Sequence, residues 1–371
     1  MAVWRKFPSV HAMRAERWLG EALPGVLDAT RAFYWPIPVV GTPGRVYSHK
    51  GDLVGSIGAG QFGSLWDWQW DRWRRACRSR QLNTGFAGLS DLLSEANDAG
   101  KAQAIPWQKT GIASTTAGNP MTLWYANGSP IAGSAPAALA AGTNCVRTTA
   151  GGLGQLDPAG SDTLFLTGLT TQCSGNATTL LLYDRIWHGA PSIAVNTVQT
   201  VTMTASRYAG TGASGSSKGN FVTMEVSTVL PATAHTWIMQ YNDDAGNAAE
   251  NGVTETGVSS GIASRIDLNT AGVTPNQWCF SLNSGDVGVS DITQVTLGTV
   301  LASGALAMVL GHPMGLFPLG YQTGLPACYD LISGAFNMQR VQVDACLTFL
   351  EISKGFTGSY NYSGTLSLVS G

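Results

Sequence analysis

Charge is what this chain of 371 residues has least of: Asp, Glu, Lys and Arg make up 12%, about half the roughly 25% usual in soluble domains. A surface so poor in charge must be covered by Thr, Ser, Asn, Gln and backbone. It offers little electrostatic protection against self-association, so a homo-oligomer is expected. Long apolar runs are also missing. The longest, Val300 to Leu310, is broken by Ser303 and Gly304, far short of the roughly 20 residues of a membrane span, and no membrane partner is expected. The opening Met1-Ala2-Val3-Trp4-Arg5-Lys6 has no apolar core or small-residue cleavage site, so folding in a cytosol is the expectation. The six cysteines (Cys77, Cys145, Cys173, Cys279, Cys328, Cys346) form no Cys-x-x-Cys pair. That excludes the common zinc and redox spacings and favours buried free thiols over disulfides.

What the chain does have is an asymmetry. Residues 1–110 carry 14 Lys/Arg against 9 Asp/Glu, and residues 111–371 carry 7 against 14. The basic excess is too thin for nucleic acid, whose binding needs several phosphates neutralised together. Residues 10–33 read as an amphipathic helix that Pro24 splits into two short pieces. Tyr34 to Gly63, with Pro36, Pro38 and Pro43, reads as an extended, irregular path. Trp66, Trp70 and Trp73 then fall on one helical face, with Arg72, Arg75 and Arg78 on another; Trp66, Trp68 and Trp70 also alternate as in a strand, and the Arg run favours the helix. A second helix is predicted over Ser90 to Ala104, with Ser90 as its cap. The Trp and Arg cluster is the candidate partner-binding surface. Packing in a core, anchoring an interface and stacking on a sugar remain open to it.

From about residue 110 the period changes to that of strands. Val198–Thr204, Phe221–Val229, Thr236–Tyr241, Val295–Leu301 and Val341–Phe349 are rich in Thr, Val and aromatics and mostly alternate. Between them lie turn clusters such as Asn127-Gly128 and Asp243-Asp244-Ala245-Gly246-Asn247. The expected fold is mainly β: an antiparallel sandwich or barrel body preceded by a smaller α-containing, irregular N-terminal region. Its expected parts are an anchoring region over 1–110, a Gly/Ala-rich first β region over 111–190 and a main β domain over 191–371. Residues 111–162 read as a loose insertion or inter-domain stretch. The end of the chain reads as a terminal strand able to pair with a neighbouring subunit.

No motif carries chemistry. The histidines His11, His49, His188, His235 and His312 fit no ligand pattern. Gly-x-Ser-x-Gly occurs at 215–219 and 257–261, outside the strand-to-helix elbow that a nucleophilic serine needs. Leu53 and Val54 precede Gly58-Ala59-Gly60-Gln61-Phe62-Gly63, but that apolar run is too short for the central strand of a dinucleotide site, and Arg78-Ser79-Arg80-Gln81 offers no distal acid. Asp243, Asp244, Asn247, Glu250 and Asn251 gather oxygen atoms but not with calcium-loop spacing, and read as a turn satisfying its own backbone. No catalytic residue, metal or cofactor is assigned.

Two stretches, 162–171 (DTLFLTGLTT) and 178–187 (TTLLLYDRIW), resemble tailed-bacteriophage virion proteins in style. The resemblance implies a non-enzymatic structural protein of the virion, assembled in host cytoplasm, that self-associates and docks on the capsid or tail. The long charged spine helix of the phage shell subunit is missing, which points to an accessory head or tail component. A receptor- or glycan-binding tail module is the alternative, and a polysaccharide hydrolase a more distant one.

Overall fold

The computed structural model describes residues 45–47, 53–56, 86, 89–98, 100–111, 120–175, 178–204, 206–208, 216–259, 261–268, 277–319, 326–332, 338–354 and 360–371. The chain forms two compact units, Met1–Asn83 and Thr84–Gly371. In the first, β1 (Arg45–Tyr47) pairs antiparallel with β2 (Leu53–Ser56). The expected boundaries near residues 110 and 190 both fall inside the second unit.

That second unit is built of three antiparallel sheets, so the body is mainly β as its alternation predicted. The central sheet contains β4 (Met121–Thr122), β6 (Thr143–Asn144), β8 (Thr178–Gly189), β10 (Phe221–Thr228), β15 (Ala305–Leu319) and β18 (Leu347–Lys354). Its order is β10-β15-β8-β18-β4, with β6 sharing an edge of β8. A second sheet runs from β9 (Val198–Thr200) through β14 (Val289–Leu297) to β11 (Thr236–Asp243), which also holds β12 (Glu250–Asn251) and β13 (Glu255–Thr256). The third contains β3 (Ala102–Thr110), β5 (Gly128–Ser129), β7 (Leu164–Cys173), β16 (Ala327–Asp330), β17 (Gln339–Val341) and β19 (Asn361–Ser370). Helix α1 (Leu89–Ala96) sets Leu92 beside Phe86, Phe165 and Val369, against the third sheet.

Burial explains this layering. Every residue of β8 from Leu180 to Gly189 is buried, the pattern of a strand covered on both faces rather than one. Leu181 and Tyr183 join a core with Trp237, Met239, Ile292 and Val295 of the second sheet. Leu180 and Leu182, pointing the other way, join a second core with Trp107, Leu166, Tyr362 and Leu366 of the third sheet. Strand β15 crosses between the two cores: Leu306, Met308 and Leu310 belong to the first, Met314, Phe317 and Leu319 to the second. Its register with β8 shifts between Leu310 and Gly311 and again between Pro313 and Gly315, irregularities that bend a long strand.

Several expectations need correction. The second helix stops at Ala96 instead of Ala104, because residues 102–110 are drawn into the third sheet beside β19, and Ser90 lies inside its first turn. Val295–Leu301 and Val341–Phe349 are displaced: the strands are Val289–Leu297 and Leu347–Lys354, the latter preceded by a turn. Val198–Thr204 shortens to three residues. The terminal strand β19 is no free edge, since it is paired with β7 on one side and β3 on the other. Nor are residues 120–162 a loose insertion, for they bury Trp124, Leu139, Cys145 and Leu153. Their small residues have a steric purpose: a Cβ on Gly133 would lie 2.1 Å from the Trp124 ring, and one on Gly142 2.2 Å from the Trp187 ring. The Gly-rich segment is a thin cover laid flat on two buried indoles.

Candidate functional site

The two stretches that carry the phage resemblance lie mostly in β7 and β8, and β8 organises the principal polar centre. Its run Tyr183-Asp184-Arg185-Ile186-Trp187-His188 places charged groups where an alternating strand would have apolar ones. Arg185 is fully buried and forms a two-pronged pair with Glu225 of β10, Nη1 to Oε1 at 2.8 Å and Nη2 to Oε2 at 2.9 Å. Its Nη1 also donates to the Tyr183 hydroxyl at 3.2 Å, and Nη2 meets His188 Nδ1 at 3.2 Å. The guanidinium carbon sits 4.2 Å from the centroid of the Trp124 ring. Because arginine only donates, His188 Nδ1 is the acceptor, and a proton on the neutral ring sits at Nε2. Burial works against the Arg185 charge, but Glu225 and Tyr183 hold its pKa well above the ordinary value.

Beside it, Asp184 pairs with Arg207, whose Nε donates to Oδ2 at 2.7 Å and whose Nη2 donates to Oδ1. Arg207 Nη1 donates to the Cys145 carbonyl at 3.0 Å, while Asp184 Oδ1 accepts the Cys346 amide at 2.8 Å. Both cysteines have fully buried, free thiols and cluster against Trp124. Tyr208 stacks on His312 at 4.0 Å with 12° between the rings. His312 Nδ1 meets Asn220 Oδ1 at 2.7 Å. Burial pushes the His312 pKa down to about 4.

A second buried pair lies between the first and second sheets. His235 Nε2 meets Asp267 Oδ2 at 2.8 Å and its Nδ1 meets the Thr233 carbonyl at 3.0 Å. Asp267 also accepts the Trp237 indole N–H at 2.9 Å and the Val258 amide at 2.6 Å. Burial would lower the imidazole pKa, but the Asp267 carboxylate and the Thr233 carbonyl hold it above the ordinary value. Gly257, which opens one Gly-x-Ser-x-Gly match, lies under this ring: a Cβ there would be 2.0 Å from His235 Nε2. That motif is therefore packing around an ion pair, and Ser259 is exposed in a turn.

The acidic turn behaves as its Asx residues suggested. Asp243 Oδ1 accepts the amides of Ala245 and Asn247 at 2.9 and 2.7 Å. What sequence distance concealed is Asp286, delivered by the turn before β14. Asp243, Glu250 and Asp286 offer carboxylate oxygens within 4.8 Å of one another, the group among the described residues that could hold a metal ion. Contact with Asp286 raises the Glu250 pKa, as does burial. Elsewhere, Lys109 Nζ is buried and donates to the carbonyls of Ala126 and Ile131 at 3.1 and 3.2 Å. Desolvation lowers its pKa to about 8.

The predicted partner-binding residues Trp66, Trp68, Trp70, Trp73, Arg72, Arg75 and Arg78 lie outside the described residues, as do His11, His49 and Cys77. The buried network around Arg185 was missed by sequence reasoning. The signal for it was Asp184-Arg185 in the middle of an otherwise apolar strand, a pair of charges that only burial with partners can explain.

No protein-family model matches the chain, and no curated protein matches it. Among solved structures, the VP2 subviral particle of infectious bursal disease virus is 9% identical over 73% of this chain and 82% of that one, at a TM-score of 0.15. A point mutant of VP2 in derived T=1 particles is likewise 9% identical, over 73% and 78%, at a TM-score of 0.16. At that identity and TM-score the likeness carries no argument about function.

Proposed function

We propose that this chain is a non-enzymatic structural component of a virion, self-associating through its β body, with residues 1–110 as the part that docks on a capsid or tail. The observation that carries this reading is where the ionisable chemistry goes. Arg185, Glu225, Asp184, His188, His235 and Asp267 are each at most 4% exposed and are bonded to one another or to neighbouring backbone and rings. Such groups rigidify and specify a core. The outside carries few charges, Asp98, Lys218, Asp330, Arg340 and Asp344 among them, beside aliphatic side chains of which Val198, Val229, Val287 and Val343 are over half exposed. A chain with only 12% charged residues has little electrostatic repulsion to keep its copies apart. The phage setting rests on the stylistic resemblance of β7 and β8 alone.

Among the described residues no exposed large apolar side chain is aromatic, and stacked aromatic rings are what glycan recognition needs. The glycan-binding reading therefore falls back on the Trp cluster at 66–73. Light scattering and electron microscopy of the purified full chain test the proposal, together with co-sedimentation on particles. Assembly or particle binding is the expected result. A protein that stays monomeric at every accessible concentration and never sediments with particles overturns it.

A further inference from the structure

We propose that Cys145 and Cys346 form a latent cross-link site, a buried dithiol that peroxide converts to a disulfide joining two distant segments of the chain. The geometry starts with β8. Strand β18 pairs with β8 over Thr178 to Asp184, Leu347 opposite Asp184, while β6 pairs with the same edge further along, Asn144 opposite Trp187. The Cys145 amide donates to the Ile186 carbonyl at 2.9 Å, and the Cys346 carbonyl accepts the Arg185 amide at 2.9 Å. Segments roughly 200 residues apart in sequence therefore line up end to end as one discontinuous strand, and the two cysteines sit at the break.

Each is held from a second direction by one ion pair, Arg207 gripping the Cys145 carbonyl and Asp184 the Cys346 amide. Both side chains are fully buried and share one cluster with Trp124. Burial opposes ionisation of Cys145, yet its bonds to Cys346 and His188 and the nearby Arg185 charge keep its pKa well below the ordinary thiol value. Cys346 is held well above it by Cys145 beside it and by burial. A lowered thiol beside a raised one is the division of labour that disulfide formation uses. Side chains that meet in one cluster at a strand break are placed to close to a bond of about 2.05 Å.

The oxidant must be small, because neither cysteine is exposed, and hydrogen peroxide is. The Cys145 thiolate attacks one peroxide oxygen and breaks the O–O bond, giving a sulfenic acid and hydroxide, which takes a proton to become water. The Cys346 sulfur, losing its proton, then displaces the sulfenic oxygen as a second water. Two thiols and one peroxide become one disulfide and two waters. Strand β6 is only two residues long, so its opening admits the oxidant without unfolding either core.

The test is peptide mapping of the full-length folded protein after hydrogen peroxide, with free thiols alkylated under denaturing, non-reducing conditions. A single cross-linked species joining the Cys145 and Cys346 peptides is expected, with the exposed Cys328 as the internal marker that oxidant was active. Closure of so long a loop should raise the thermal midpoint by roughly 5 °C or more, reversed by dithiothreitol. In Cys346→Ser, dimedone should trap Cys145 as the sulfenic acid. Mapping the unaltered chain decides the matter even if that variant folds poorly: both thiols remaining alkylatable after Cys328 is fully oxidised, or Cys145 pairing with any other cysteine, overturns the proposal. It stands independently of the virion reading.

Discussion

At the scale of single residues, stability hangs on groups that the chain has taken out of water. Arg185 and Glu225 are wholly buried, and removing one partner strands the other charge. Glu225→Gln should therefore cost about 3–5 kcal/mol, read as a lowered urea midpoint. Replacing both at once, Arg185→Met with Glu225→Leu, should recover a large part of that loss, because the pair is then gone rather than broken. An unchanged midpoint in the single variant would show that the pair contributes nothing. Two histidines titrate in opposite senses. The His235 pKa is raised by Asp267, so its contribution is complete below the unfolded value of about 6.5 and is lost as pH rises through the higher folded value. The His312 pKa is pushed down to about 4, so its neutral ring contributes fully above about pH 6.5, and that contribution is lost as pH falls toward the folded value. Urea midpoints across this range should show His235→Gln flattening the alkaline side and His312→Asn the acid side. Identical pH profiles for both variants would refute the assignment.

At the scale of elements, β19 is the most consequential strand of the third sheet. It lies between β7 and β3 and buries Tyr362, Leu366 and Leu368 in the core shared with the central sheet. Each fully buried side chain of that size contributes about 1.5–3 kcal/mol. Ending the chain at Tyr360 should abolish cooperative unfolding and leave soluble expression poor, by circular dichroism melt and fractionation; a truncated chain that melts cooperatively near the full-length temperature would contradict this. Alternation made β11 legible nearly to the residue, since its side chains fall on two differently shielded faces, whereas β10, buried from Phe221 to Val226, was legible through its Val, Thr and aromatic content. The terminal strand was legible as a strand but not as a central one, for sheet position depends on partners about 190 and 260 residues away. Residues 120–162 were misjudged because glycines that fit against Trp124 and Trp187 look the same in sequence as glycines of a loose linker. The cysteine pair was invisible for the same reason: nothing in spacing joins residues 145 and 346.

At the scale of the whole molecule, the proposed association rests on scarcity of charge. The edge strand β9 is three residues long, with Val198 58% exposed, and short charged edges are how proteins discourage edge pairing. Val198→Lys should weaken self-association by about tenfold while changing stability by less than about 0.5 kcal/mol. Concentration-dependent light scattering alongside a melt would check it, and unchanged assembly would remove β9 from the interface. By itself the sequence determined the class of the body, because a period of two, frequent turns and few charges leave little but antiparallel sheets. Only the tertiary structure decided that β8 is covered on both faces, that Arg185 meets Glu225, that His235 meets Asp267, and that Cys145 meets Cys346. Strand period is a local property written in consecutive side chains, whereas pairing across sheets is fixed by how whole layers pack.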